Sequence, residues 1–289
     1  MAFRPNWYED PPRRRGAWRR QVESWSGLKT VLVVTGVVYL AQMVVLAFGG
    51  IGAIGELNYW LGLRSWSSGG SINLLFPVQL FTYPLLHAIG DPGDYWHIVG
   101  NMFFLWIYGQ FIEPGMGKSQ FLRLYVGGAV VGGLAQWALG LATVSATPTV
   151  GASAAVYAVM AMAAFRHPHQ KLLLLIPPMP VPIWVLFGVR IFFDVLSLLG
   201  GGPTNVALAA HLGGAAYGWL WHKRGDVVGQ VVEKRKRDKA MAAFAAEADD
   251  RREMDRILAK IQATGLASLS TDERAFLERR SRELRKDHP

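Results

Sequence analysis

Ser153 stands in "TVGASAAVYAVMAMAAF" (Thr149 to Phe165), an apolar stretch without charge in which the hydroxyl is flanked by Gly151-Ala152 and Ala154-Ala155. His211 lies in a second such stretch, "AHLGGAAYG" (Ala210 to Gly218), and His97 and Asn101 share a third, "HIVGN". A serine beside a neutral imidazole is a nucleophile with its general base, and the ring can later protonate a leaving amine. The Ser153 backbone N–H, freed at a helix N-terminus, is one donor for a developing oxyanion. The Asn101 amide suits a second donor, and His97 adds a third if it presents an N–H. Tyr157, one turn after Ser153, is the expected packing partner of the His211 ring. No carboxylate is expected beside His211, so the two groups read as a dyad.

These groups need elements that bring them to one height. Of 289 residues, 51% are hydrophobic and only 18% charged, although the last sixty or so are densely charged. The remaining body is too apolar for an ordinary soluble domain and reads as a polytopic membrane protein with an appendage. Six spans are expected: Thr30 to Phe48, Trp96 to Ile112, Phe121 to Leu141, Thr149 to Phe165, Pro182 to Leu199 and Asn205 to Trp221. "NLLFPVQLFTYPLLHA" (Asn73 to Ala88), broken by Pro77 and Pro84, reads as interfacial or re-entrant.

With a helical rise of about 1.5 Å per residue, Ser153 lies about 19 Å above Arg166, and His211 about 18 Å above Lys223. Asn101 lies about 18 Å above Glu113, with His97 one turn higher. Four polar groups from three helices therefore share one shallow layer of a hydrocarbon core about 30 Å thick. Small residues supply the room for contact. Gly151, Ala152, Ala154, Ala155 and Ala158 can meet Gly213, Gly214, Ala215 and Gly218, because small side chains let helix backbones approach.

Other polar residues have plainer readings. Glu113 ends the second span and is expected to bond the following loop. Arg190 and Asp194, four apart, are expected to form an ion pair within the fifth span. His87 is placed near the cavity mouth as a loop contact, and Trp219, Trp221 and His222 read as interface anchors. His167 and His169 in "RHPHQ" have no further ligand near them, so no metal is expected, and no cofactor either. The chain has no cysteine, which excludes disulfides and a thiolate nucleophile.

The +9 net charge is concentrated in terminal segments and short loops, as membrane topology places it, so nucleic acid is not an expected partner. Residues 1–27 form a basic leader, 28–222 the six-span core, 223–255 a charged helix or linker, and 256–289 a small helical module. In that module Ser270 and Glu273 form a capping box after a stop near Gly265. The first apolar run begins too late for a secretory signal and lacks a cleavage pattern. Loop charge places both termini on the cytosolic side, and a bacterial inner membrane is the expected location.

"GASA" followed by Tyr157, "HIVGN", "AHLGGAAYG" and "FIEPGMGKSQFLRLY" (Phe111 to Tyr125) occur in this order, and the set resembles the signatures of rhomboid intramembrane serine proteases over roughly Asn73 to Trp221. The resemblance implies an all-α, six-transmembrane-helix bundle with a small helical C-terminal appendage. It further implies Ser153 as nucleophile, His211 as base, His97 and Asn101 lining the oxyanion hole, and Tyr157 packed on His211, with Gly151 supporting. The residue after the serine, often glycine in the family, is Ala154. The implied activity is cleavage of membrane-anchored proteins within or beside their transmembrane segments. Two other readings stand beside it, a silent binder of membrane clients and a transporter, the second disfavoured because no acidic residue is expected in the polar layer to couple ions. Oligomeric state is not legible.

Overall fold

The structure is a computed structural model that describes residues 25–64, 73–139, 147–175, 178–199 and 208–287. Most of the expected leader therefore lies outside the described residues, as do the ends of the expected third and sixth spans. The chain forms two compact units, Met1–Asp226 and Val227–Pro289.

In the first unit, α1 (Gly27–Leu61) begins at Ser26, whose hydroxyl accepts from the Lys29 N–H. It kinks at Gly50, where φ is +69°. Among the described residues, α1 is the helix long and apolar enough by itself to cross a membrane. A short helix, α2 (Phe76–Thr82), and a 3-10 turn (Tyr83–Leu85) follow, in the segment expected to be interfacial. The expected second and third spans are halves of one element, α3 (Tyr95–Leu139), which contains Pro114 and turns at Gly117 with φ +78°. Only glycine takes that backbone region without strain.

The Glu113 carboxylate, just before this turn, reaches not the following loop but the start of α1, where it accepts from the N–H groups of Gly27 and Leu28, the second at 3.1 Å. The correction has a simple cause: the first N–H groups of a helix have no partner within it and carry partial positive charge, which a nearby carboxylate satisfies.

Helix α4 (Ser153–Arg166) is only 14 residues long and is buried at every position from Ala154 to Ala164. A helix apolar on all sides belongs inside a bundle, and α4 packs against α3 and against α6 (Leu208–Arg224). The contact with α6 is a backbone contact. A Cβ at Gly214 would lie 2.0 Å from the Ala154 carbonyl oxygen, and one at Gly218 2.2 Å from that of Ala158. Gly213 faces α3 instead, against Ala135 and Gly132.

Two features depart from the sequence reading. The connection after α4 is a two-stranded antiparallel hairpin, β1 (Lys171–Leu175) and β2 (Pro178–Pro182), which leads into α5 (Ile183–Leu199). Its prolines alternate at 178, 180 and 182, so their missing N–H groups fall on one edge and leave the other free to pair. The chain is thus mostly rather than entirely helical. Trp221, expected at the interface, is buried in the core with Tyr217 beside it, whereas Trp219 is exposed.

In the second unit, α7 (Val227–Thr264) runs without interruption through the boundary expected at residue 255. It stops before Gly265, and a 3-10 turn (Leu266–Ser268) leads to α8 (Thr271–Asp287). The capping box is formed: the Ser270 N–H donates to Glu273 Oε2 at 2.8 Å and the Glu273 N–H to Ser270 Oγ at 3.2 Å. Lys260 and Arg256 also donate to the Glu273 carboxylate, each at 2.8 Å.

The Lys260 ammonium first, then the Ser270 N–H and Arg256, lower the Glu273 carboxyl from an ordinary 4.5 to about 2. A carboxyl lowered in the folded state adds stability that is complete above its ordinary value and disappears as pH falls through the folded one. Amide protection across α7 and α8 in the full chain, corrected for intrinsic exchange, is therefore expected to fall between about pH 4.5 and 2. Glu273→Gln should start less protected and stay nearly flat across that window; an unchanged profile would refute the assignment.

Candidate active site

The loop entering α4 is pinned on both sides. Leu63 and Thr149 exchange backbone hydrogen bonds of 2.9 and 2.8 Å, and the Gly151 N–H donates to the Tyr83 carbonyl at 3.0 Å. Gly151 has φ +123°, and a Cβ there would lie 2.7 Å from His97 Nε2. Conformation and close approach both demand glycine. The chain then turns into α4 with Ser153 as its first residue and no side-chain cap at Ala152, so the positive end of the helix opens beside the serine.

Arg64, a loop residue after α1, anchors the same region. It is buried, donates to Asn73 Oδ1 at 3.0 Å and covers the Tyr59 ring, while Asn73 donates to Gln79 Oε1 at 2.7 Å.

His211 projects from α6 and stacks on Tyr157 of α4, ring centroids 4.3 Å apart and planes 9° from parallel. The expected packing of Tyr157 is thus the observed one. His211 Nδ1 lies 2.8 Å from Asp194 Oδ2 on α5, and the expectation that no carboxylate stands beside this ring is corrected. The Tyr157 hydroxyl donates to the same Asp194 oxygen, while Arg190 approaches the other at 3.5 Å. The Arg190–Asp194 ion pair exists, but it accounts for only one of the carboxylate's two oxygens. Nδ1, facing a carboxylate, carries the proton of the neutral ring, leaving Nε2 as the acceptor. That Nε2 is buried and makes no hydrogen bond among the described residues, to the Ser153 hydroxyl included.

His97 and Asn101 come from the first half of α3. The Ala88 N–H donates to His97 Nδ1 at 3.4 Å, so the proton of the neutral ring sits on Nε2, the nitrogen turned toward Gly151. The Asn101 Nδ2 group is buried without a hydrogen bond among the described residues. His87 is not at a cavity mouth: it is fully buried between Tyr39 and His97. Gln42 of α1 holds its backbone from both sides, with two bonds of 3.0 Å.

Ser153, His211, His97, Asn101 and Tyr157 line one cavity of about 650 Å³, together with Arg190 and Asp194. The layer expected from helical rise is thus one contiguous space. It holds a hydroxyl at a helix N-terminus, an imidazole nitrogen able to accept a proton, and an amide and an imidazole N–H able to donate. Among the described residues, no group of three or more His, Asp or Glu is placed to hold a metal ion.

Residues 77–223 match the family described as "Rhomboid domain", and residues 245–283 one described as "Family of unknown function (DUF6576)". The chain is 33% identical over 153 residues to Rhomboid protein 1, mitochondrial, of Saccharomyces cerevisiae, covering 52% of this chain and 43% of that protein. It is 27% identical over 215 residues to Presenilin-associated rhomboid-like protein A, mitochondrial, of Danio rerio, covering 71% and 53%. To RHOMBOID-like protein 12, mitochondrial, of Arabidopsis thaliana it is 37% identical over 137 residues, covering 43% and 40%. The chain spans about half the length of the curated relatives it matches. Each of the three is mitochondrial by name, which overturns the bacterial inner membrane expected from the sequence.

Proposed function

The chain belongs to the rhomboid family, and on that premise we propose that it is a serine endopeptidase cutting membrane-anchored proteins in or beside their transmembrane segments. In this reading α1, the two halves of α3, α4, α5 and α6 are six spans. Lys118, Arg123, Arg166 and Lys223 then lie on one face of the membrane, and the cavity opens toward the other. The observation that carries the proposal is the convergence of Ser153, His211, His97 and Asn101, from three helices, on one cavity.

As the Ser153 Oγ–carbon bond forms, the hydroxyl proton passes to His211 Nε2. The carbonyl oxygen becomes an oxyanion held by the Ser153 N–H, the Asn101 amide and His97 Nε2–H. His211 then gives the proton to the departing amine as the C–N bond breaks, leaving an ester on Ser153. Water then attacks the ester as it gives a proton to the same nitrogen, and when the carbon–Oγ bond breaks that proton returns to Ser153 Oγ and the acid leaves. Tyr157 sets the His211 ring plane, and Gly151 lets the loop lie against His97. The substrate helix must unwind, because a regular helix keeps its carbonyls in hydrogen bonds, so small or helix-breaking residues near the cut are favoured.

A fluorophosphonate probe in detergent or lipid is expected to label the wild type covalently, and Ser153→Ala is expected to abolish both labelling and cleavage of a reporter with a transmembrane segment. A wild type that binds the reporter but is never labelled would be a silent client-binding protein instead.

A further inference from the structure

We infer that Asp194 is a positioning residue of this site, so that the hydrolytic centre is the Ser153–His211 pair with its imidazole held by a carboxylate from a third helix. The inference rests on the reading of Ser153 and His211 given above.

Asp194 belongs to α5, whereas Ser153 starts α4 and His211 sits on α6; the contact therefore ties a third helix to the site. A neutral imidazole has two tautomers, and only the one protonated at Nδ1 presents a basic Nε2. The 2.8 Å contact of Nδ1 with Asp194 Oδ2 selects that tautomer and fixes the ring's rotation. The carboxylate is itself held: the Tyr157 hydroxyl donates to Oδ2 and Arg190 faces Oδ1 at 3.5 Å. Tyr157 thus touches both members of the pair, stacking on the ring and bonding to the acid. When Ser153 Oγ gives its proton to Nε2, the resulting imidazolium stands beside an anion already in place. The positive charge needs no rearrangement to be met, and the proton goes on to the leaving amine. Asp194 takes no proton at any step.

A purely structural reading would have Asp194 serve only as the partner of Arg190 along α5. The two readings differ in which variants affect turnover. Asp194→Asn is expected to lower kcat by about 10²- to 10⁴-fold, as in serine hydrolases whose histidine loses its carboxylate, with KM within about twofold of wild type. The rate of fluorophosphonate labelling per folded site should fall in step. Asp194→Glu, which keeps the charge, should recover about tenfold or more over Asn. Arg190→Gln, which removes the ion pair along α5 but leaves the His211 contact, should lose at least about tenfold less kcat than Asp194→Asn. Wild-type kcat per labelled site in Asp194→Asn would overturn the inference, as would an equal loss in Arg190→Gln. Failure of the inference alone is distinct from failure of its premise: in the second case the wild type is not labelled, or Ser153→Ala still cleaves.

Discussion

On the proposed function, replacing His211 by alanine is expected to lower turnover by about 10⁴- to 10⁶-fold, the scale on which a hydrolase loses its general base. The reason lies in which atom is free. Nδ1 is committed to Asp194, whereas Nε2 is buried without a hydrogen bond among the described residues, and His211 lines the same cavity as Ser153. In the proposed mechanism, removing that nitrogen leaves the serine proton without an acceptor and the leaving amine without a donor, so both halves of the reaction should fail. Groups that act as a unit are not additive; Ser153→Ala combined with His211→Ala should be no worse than either alone. Asn101→Ala should cost only about 10- to 10³-fold, because other oxyanion donors persist. Turnover assays on detergent-purified variants with matched thermal unfolding decide the matter. Turnover within tenfold of wild type in His211→Ala would reject the base assignment, and loss in Asn101→Ala equal to that in His211→Ala would mean the roles are confused.

The second large effect is on stability. Gly214→Ala adds one methyl group where the nearest atoms are the Ala154 carbonyl oxygen at 2.0 Å and its carbon at 2.8 Å. Both are backbone, so no rotamer change relieves the overlap, and α6 must move off α4. Overpacking by a methylene in a tight core costs about 1 to 3 kcal/mol where side chains can yield, and this site should lie at or above the upper end. Activity should fall with it, since His211 is three residues before Gly214 and Ser153 directly precedes Ala154. Gly36 of α1 is the control, because a Cβ there meets nothing within 4 Å. Gly36→Ala is expected to be neutral or to stabilise by up to about 1 kcal/mol. Equal thermal unfolding of the two variants would contradict the close helix contact.

The groups gathered in the cavity were legible because helical rise is nearly constant. Counting back from Arg166, Lys223 and Glu113 puts Ser153, His211 and Asn101 in one layer whatever the helices' neighbours are. The small residues of "AHLGGAAYG" and the Ser270–Glu273 capping box were readable for the same kind of reason, since spacing along one helix determines which face or end a residue occupies.

Rise along an axis says nothing about rotation around it or about which helix stands alongside. Asp194 had a satisfactory partner four residues away in Arg190, and only the arrangement of α5 beside α6 turned one of its oxygens to His211. Glu113 could bond its own loop or a distant helix start, and packing chose Gly27 and Leu28. Trp221 has the same composition signal as Trp219, yet the rotation of α6 buries one and exposes the other. The sequence by itself determined the residue types, their heights and the faces they share. The tertiary structure decided their partners, because a charged or aromatic group accepts several neighbours of similar energy and the fit of the surrounding helices selects among them.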